Sequence, residues 1–350
     1  MQSEKVKGQG AVENIHNRFF KNRYETTIYQ DDYEEEIAKT QVMEVFPKTI
    51  VNEVKGNSLP FLYSMNPYQG CEHGCAYCYA RPTHQYWGYS AGVDFERIIL
   101  AKKNAPELLE QFFKKRGYKA SPITLSGNTD CYQPIERKLQ ITRKLLQVCL
   151  EYKHPVSIIT KNALVTRDLD ILTEMAKLNL ISVSLSIPTI NEELRRVLEP
   201  RTSSVKTKLQ ALKTLSENGI PTHVMVAPII PGLNSSEILG ILKTISEHGA
   251  MGFGYTLVAL NDEVEPVFQD WLEVHFPDRK EKVLNQIASL HNGSLSEKNI
   301  AKRNTGNGNF AQMIHNTFAV GRKKYFNNGK FPKLATDLFD GTKGEQLKLF

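Results

Sequence analysis

Gly70-Cys71-Glu72-His73-Gly74-Cys75-Ala76-Tyr77-Cys78-Tyr79 is the stretch whose reading decides the fold: three of the chain's five cysteines fall within eight residues, at CxxxCxxC spacing. Thiolates crowded on a short loop repel one another unless a cation holds them, and a sulfur-rich site selects zinc or iron–sulfur chemistry. A closed zinc site needs a fourth protein ligand, for which His73 or His84 is at hand. Zinc ligands usually come as two separated pairs, however, and no second CxxC pair exists in the chain. A [4Fe-4S] cluster held by three cysteines leaves one iron open to a small molecule. The spacing, with aromatic Tyr77 before the third cysteine, favours the cluster and keeps zinc as the alternative.

Downstream of this loop, short apolar runs at 123–125, 156–159, 181–187, 223–229 and 254–260 alternate with amphipathic segments at 138–152, 167–178, 205–217 and 237–248. Gly219 and Gly249 stand where helices should stop, and Ser235 where one should start. Leu209, Leu212 and Leu215, like Ile238, Ile241, Leu242 and Ile245, give each helix one apolar face to lay on a sheet. A strand at 96–101 and a helix at 105–115 precede this alternation. Counting a strand that leads into the cysteine loop, about six βα units are present, short of the eight of a closed barrel. The fold expected is α/β, an open partial (β/α)6 TIM-like barrel with an N-terminal extension and a helical C-terminal region. Ligands in such sheets sit at the C-terminal ends of the strands, where Asn128, Thr129, Asp130, Lys161, Ser184 and Ser186 fall.

The expected divisions are residues 1–58 as an extension lying over the domain, 59–260 as the barrel, and 261–350 as the helical region. Residues 17–23 are basic and 31–36 acidic, and Phe19, Phe20, Tyr24 and Tyr29 read as surface anchors. After the barrel, helices are expected at 264–276, 280–290 and 310–325, and the Asn-, Gly-, Ser- and Lys-rich linker 292–309 reads as a mobile loop. Lys302, Arg303, Arg322, Lys323, Lys324, Lys330 and Lys333 make this end basic, as a solvated face or a phosphate track. The 350 residues are 41% hydrophobic and 23% charged, ordinary globular composition, which excludes a disordered or fibrous protein. The net charge of +6 tilts toward a polyanionic partner. The N-terminus lacks the order of a signal peptide and no apolar run approaches membrane-spanning length, so a cytoplasmic protein without membrane association is expected, in a compartment that keeps thiols reduced.

Cys71, Cys75 and Cys78 with Tyr77 resemble the cluster loop of the radical S-adenosylmethionine (radical SAM) superfamily. Tyr79, Thr129-Asp130, Thr160-Lys161 and Ser184-Leu185-Ser186 resemble its spore photoproduct lyase-like branch, also labelled DNA repair photolyase, over residues 59–260. The resemblance implies a [4Fe-4S] cluster on Cys71, Cys75 and Cys78, and S-adenosylmethionine cleaved reductively to a 5′-deoxyadenosyl radical that abstracts hydrogen from a substrate. It implies an electron donor such as flavodoxin or ferredoxin. A sulfonium zwitterion needs donors for its carboxylate and ribose and acceptors for its amine. By the resemblance, Tyr77, Asn128, Thr129, Asp130, Lys161, Ser184, Ser186 and Arg201 hold it, with Ala227-Pro228 and Gly254-Tyr255 as an adenine wall. The lyase hands a hydrogen atom on from a cysteine that precedes the Asp-containing turn, a position matched here near Gly127. Tyr79 and Cys131 are therefore the catalytic candidates, while Cys149, on the apolar face of a helix, reads as inert core. Repair or modification of DNA is the leading reading; RNA, protein or a small metabolite as substrate is the alternative, and a non-catalytic zinc-binding module is the rival from another class.

The last five residues, Gln346-Leu347-Lys348-Leu349-Phe350, resemble the short peptide by which bacterial repair and replication proteins dock on the DNA sliding clamp, with Gln346, Leu347, Leu349 and Phe350 as anchors and residues 340–344 as a tether. Folding of the same apolar residues back onto the protein's own surface is the alternative.

Overall fold

The structure, a computed structural model, describes residues 9–11, 13–15, 19, 40–54, 61–326 and 331–342. Its strands are β1 Gln41–Val45, β2 Val51–Glu53, β3 Tyr63–Met65, β4 Tyr68–Gln69, β5 Ile98–Lys102, β6 Ile123–Leu125, β7 Val156–Thr160, β8 Ile181–Ser186, β9 Thr222–Ile229 and β10 Gly252–Leu257. The larger sheet runs β10-β9-β8-β7-β6-β3-β2. Six of these, β3 and β6 to β10, are parallel neighbours in chain order, and β2 closes one edge antiparallel to β3. This is the six-unit open barrel that the alternation predicts.

Burial explains the pattern. Helices Ile141–Glu151, Val205–Glu217 and Ile238–Glu247 each lay one apolar stripe on the sheet, and Leu145, Leu146, Leu212, Leu215, Ile241 and Ile245 join Ile158, Val183, Leu185, Val224 and Val226 in one core. Cys149 lies in that core, fully buried. Strand side chains alternate faces, so Ser182, Ser184, Ser186, His223 and Met225 fall on the opposite, inner wall. Gly219 and Gly249 end their helices at φ +71 and +88, conformations that glycine adopts without steric cost.

Three segments depart from the sequence reading. The extension is not only a covering layer: β1 lies parallel to β5 in a second sheet of order β1-β5-β4, and β2 extends the barrel sheet. The linker 292–309 contains the helix Ile300–Thr305 and is tied down, with the Arg303 Nε and Asn261 Nδ2 both donating to the Glu297 carbonyl, at 3.0 and 2.8 Å. Asn and Ser favour loops because they compete locally for backbone bonds, as Ser294 and Asn299 do here with the Ser296 and Lys302 amides, and it is Asn261 that ties the segment back to the barrel. Asp340, expected to open a tether, is docked: its amide donates to the Tyr152 carbonyl at 3.1 Å, and Phe339 packs on Phe113 and His154 beside the N-terminal end of β7. Phe19 does anchor, with its ring 5.0 Å from that of Tyr86. Phe20, Tyr24, Tyr29 and the anchors Gln346, Leu347, Leu349 and Phe350 lie outside the described residues. Among the described residues no helix is long and apolar enough to cross a membrane.

Candidate active site at the cysteine loop

The cysteine loop follows β4 and ends in the 3-10 helix Arg81–Trp87. Gly70 and Gly74 turn it at φ +79 and +65; a Cβ on Gly74 would come within 2.7 Å of the Glu96 carboxylate. Three buried networks hold the loop's shape, and the first and third satisfy backbone groups that the irregular chain leaves without a ladder partner.

The first is centred on Arg81, which is wholly buried. Its guanidinium donates to the Cys75 carbonyl at 3.1 and 2.8 Å and to the Ala91 and Gly92 carbonyls at 3.2 and 3.0 Å, and pairs with Glu96 at 2.6 Å. Glu96, equally buried, also accepts from the Gly10 and Ala11 amides at 3.1 and 2.8 Å. Asn14 and Asp94 exchange two further bonds, and Ser90 donates to the Ile15 carbonyl. The chain at Gly10 therefore lies directly on the loop: a Cβ there would sit 1.6 Å from the Gly74 carbonyl oxygen, so no side chain fits.

The second network runs through Glu199. The Tyr77 hydroxyl donates to it, Lys208 Nζ lies at 2.7 Å, and Lys161 Nζ approaches to 3.9 Å while covering the Tyr77 ring at 5.9 Å. Burial opposes the charge on Glu199, but Lys208 and Lys161 outweigh it and hold the carboxyl below its usual range. Burial likewise opposes the charge on Lys161, and Glu199 and Cys75 raise it above the ordinary lysine value.

The third joins His73 Nδ1 to Asp130 at 3.3 Å. Asp130 also accepts from Thr160 Oγ1 at 2.7 Å, the Tyr132 amide at 2.8 Å and the Lys161 amide at 2.7 Å. Burial works against both charges, yet each stabilises the other, taking Asp130 down to about 2 and His73 up to about 9. Gln133 completes the set, accepting from the Glu72 amide and donating to the Gly70 carbonyl.

Within this frame Cys71 and Cys75 are buried, Cys78 is half-buried, and all three are free thiols. Burial pushes the Cys75 and Cys78 thiols up, so these groups ionise there when a metal takes the place of the proton. Among the described residues no three His, Cys, Asp or Glu side chains converge on a single ion. His73 is engaged by Asp130, and the His84 ring is packed on Tyr89 and Phe95. Three separate sulfurs without a fourth ligand suit a cluster, in which each thiolate takes its own iron, better than a closed zinc site.

The structure brings most of the expected residues to this mouth, in differing states. Lys161 and Ser184 are half-buried and Ser186 is buried on the inner wall. Asn128 is tied to Asn66, Gln69 and Thr83. Thr129 spends its hydroxyl on the Tyr68 carbonyl at 2.6 Å, and the carboxylate oxygens of Asp130 are all engaged by protein. Arg201 contacts the loop itself: its amide donates to the His73 carbonyl at 3.2 Å and its guanidinium lies 3.6 Å from Glu96. Tyr79 stands at the mouth, 62% exposed, its hydroxyl donating to the Gly127 carbonyl at 2.7 Å. Cys131 is not brought there; it is fully buried in the core, its amide on Ser126 and its carbonyl on Thr142. Tyr255 also turns away, stacked at 3.7 Å on Phe318 with its hydroxyl on His315, so that of the pair Gly254 alone faces the inner wall, beside His223 and Met225. Sequence reasoning missed Arg81, Glu96 and Lys208; their charges carried no signal of burial.

The sequence profile described as the Radical SAM superfamily matches residues 65–245. An uncharacterized protein of Mycobacterium tuberculosis is 32% identical over 238 residues, 67% of this chain and 70% of that one, and an uncharacterized protein of Methanocaldococcus jannaschii is 31% identical over 252 residues, 72% and 90% of the two chains. Among solved structures, spore photoproduct lyase complexed with dinucleoside spore photoproduct shares the fold at TM-score 0.57 and 15% identity, over 86% of this chain and 85% of that one. A variant of the same lyase, with bound AdoMet and the dinucleoside, aligns at TM-score 0.56 and 14% identity over the same shares. Membership implies a [4Fe-4S] cluster and S-adenosylmethionine, which the buried thiol triad fits. The chain belongs to the radical SAM superfamily and is a radical SAM enzyme built on the fold of spore photoproduct lyase.

Proposed function

We propose that this enzyme acts on DNA, abstracting hydrogen from a damaged or modified base. The observation that carries the reading is the exposed Tyr79 directly after Cys78, standing at the open mouth of a barrel whose fold is shared by spore photoproduct lyase complexed with dinucleoside spore photoproduct. Cys71, Cys75 and Cys78 would hold the cluster; bound there with S-adenosylmethionine, it supplies the one-electron cleavage that starts radical chemistry. An external reductant such as flavodoxin or ferredoxin would feed it. Tyr77 and Lys161 border the thiols and with Glu199 keep a water-poor wall beside them. Lys161, Ser184 and Ser186 remain the groups suited to the cofactor's carboxylate and ribose, while the Asn128 amides are spent on Asn66, Gln69 and Thr83. Thr129, Asp130 and Arg201 act as positioning residues, since their polar atoms are committed mainly to the turn and the loop. Tyr79 is the candidate to relay a hydrogen atom. The reduced thiols suit the cytoplasm.

Anaerobic reconstitution should yield a brown protein with about four irons per chain. Given a reductant and S-adenosylmethionine, it should form 5′-deoxyadenosine that takes up deuterium from base-deuterated DNA. Deuterium uptake from RNA, protein or an extract metabolite but not from DNA would overturn the substrate reading, and stoichiometric zinc without visible absorbance would overturn the cluster. The clamp peptide is a separate proposal, which rests on the sequence resemblance of residues 346–350. Deleting residues 346–350 should abolish retention on purified sliding clamp and leave cofactor cleavage unchanged, whereas failure of the full chain to bind clamp would refute it.

A further inference from the structure

Exposed aromatic rings are costly on a soluble surface unless something covers them, and among the described residues three of the six exposed ones fall in one short stretch. Tyr79 (62% exposed), Tyr86 (71%) and Trp87 (45%) fall within nine residues of one another immediately after the third loop cysteine. In a 3-10 helix, residues three apart eclipse, which sets Thr83 and Tyr86 along one ridge of Arg81–Trp87. Across from that ridge lie Asn261 and Asp262, just past β10, and Arg303 from the helix Ile300–Thr305. Tyr79, Thr83, Tyr86, Asn261, Asp262 and Arg303, with the apolar Pro82, Ala259 and Val264, line a cleft of about 210 Å³, too small for a drug-sized ligand and suited to one planar ring system. Its chemistry is two tyrosines, of which Tyr86 already meets the Phe19 ring on one side, one guanidinium, one carboxylate and two short uncharged polar side chains. Arg303 belongs to the basic run that the sequence left open between a solvated face and a phosphate track, and its Nε bond to the Glu297 carbonyl fixes its stem at the cleft wall.

We propose that this cleft is a nucleobase-binding subsite on the rim of the barrel, in which Tyr86 stacks on an unpaired base next to the reacting nucleotide and Arg303 contacts the adjoining phosphate. The combination favours a nucleotide over an aromatic peptide: a stacking platform beside a cation is the device by which single strands are held without sequence preference, and the chain's +6 charge has the matching sign. The inference rests on the nucleic-acid reading above and deepens it by naming which part of the strand is gripped and where. Tyr86 and Arg303 touch neither the thiols nor the three networks that brace them, so both can be changed without disturbing the loop.

The test is binding of a short fluorescent oligothymidylate to the reconstituted full chain, followed by anisotropy across a salt series. Tyr86→Ala should weaken binding by about 5- to 150-fold, the range of one lost base stack, while Tyr86→Phe keeps it. Arg303→Ala should lower the slope of log K against log salt by about 0.7, one phosphate contact on a single strand. Iron content should stay unchanged in all three variants. Unchanged affinity and slope in Tyr86→Ala and Arg303→Ala, with the parent binding oligothymidylate, would overturn the subsite and leave the DNA reading standing. No binding of oligothymidylate by the parent protein would overturn both. Displacement of the oligonucleotide from the cleft by a tyrosine-bearing peptide but not by a free nucleotide would assign the site to a protein ligand and overturn the proposal.

Discussion

Replacing any one of Cys71, Cys75 or Cys78 by alanine is expected to remove the bound iron and all cleavage of S-adenosylmethionine. Each thiolate takes its own iron, and the buried loop offers no substitute, since His73 is already committed to Asp130. The loss should be close to complete, because a cluster on two cysteines has two corners without protein ligands. Iron analysis, visible absorbance and 5′-deoxyadenosine formation measure it. Cys149→Ala and Cys131→Ala are the controls: both thiols lie in the apolar core, and their removal should leave iron loading intact. Full iron and cleavage in a single-cysteine variant of the triad would show that the ligand set is wrong.

The second large effect is expected at Arg81→Met. The substitution keeps the stem's bulk but leaves buried Glu96 with only the more distant Arg201 guanidinium and two backbone amides, and leaves the carbonyls of Cys75, Ala91 and Gly92 without their donors. Breaking one member of a buried pair costs about 3–5 kcal/mol, against at most about 1 kcal/mol for an exposed one. Denaturation of the iron-free protein should show that loss, and reconstitution should incorporate less iron. The double variant with Glu96→Gln should recover part of it by removing the buried charge. A cost within the exposed-pair range would mean that water reaches the pair and that it does not hold the loop.

The contrast between these two predictions also shows what the sequence made legible. The six βα units were readable because burial on one side of a sheet imposes a period, and 205–217 and 280–290 match their helices end for end. The cysteines were readable because metal chemistry demands spacing. Arg81, Glu96 and Lys208 were not: a charged residue in a string looks solvated, and only the fold reveals the partner 9 to 15 residues away that makes burial tolerable. Thr129 and Asp130 show the reverse case. Their side-chain chemistry reads as that of a ligand, and the fold adds the bonds by which they also build the turn. Cys131 stood next to a functional loop in sequence and behind it in space.

Gly10 and Ala11 belong to neither sheet, yet the Gly10 backbone rests on the Gly74 peptide and both amides end on Glu96. Such a segment can detach as a local unit, at a free energy set by a few bonds and well below that of global unfolding. Exposure of the Glu96 carboxylate beneath it is then governed by this small opening equilibrium and not by the stability of the barrel. Amide hydrogen exchange at Gly10 and Ala11 would read that equilibrium directly. The closure spans 86 residues, but the entropy of closing a loop rises only logarithmically with length. The distance in sequence therefore adds little to the cost of keeping the seal shut.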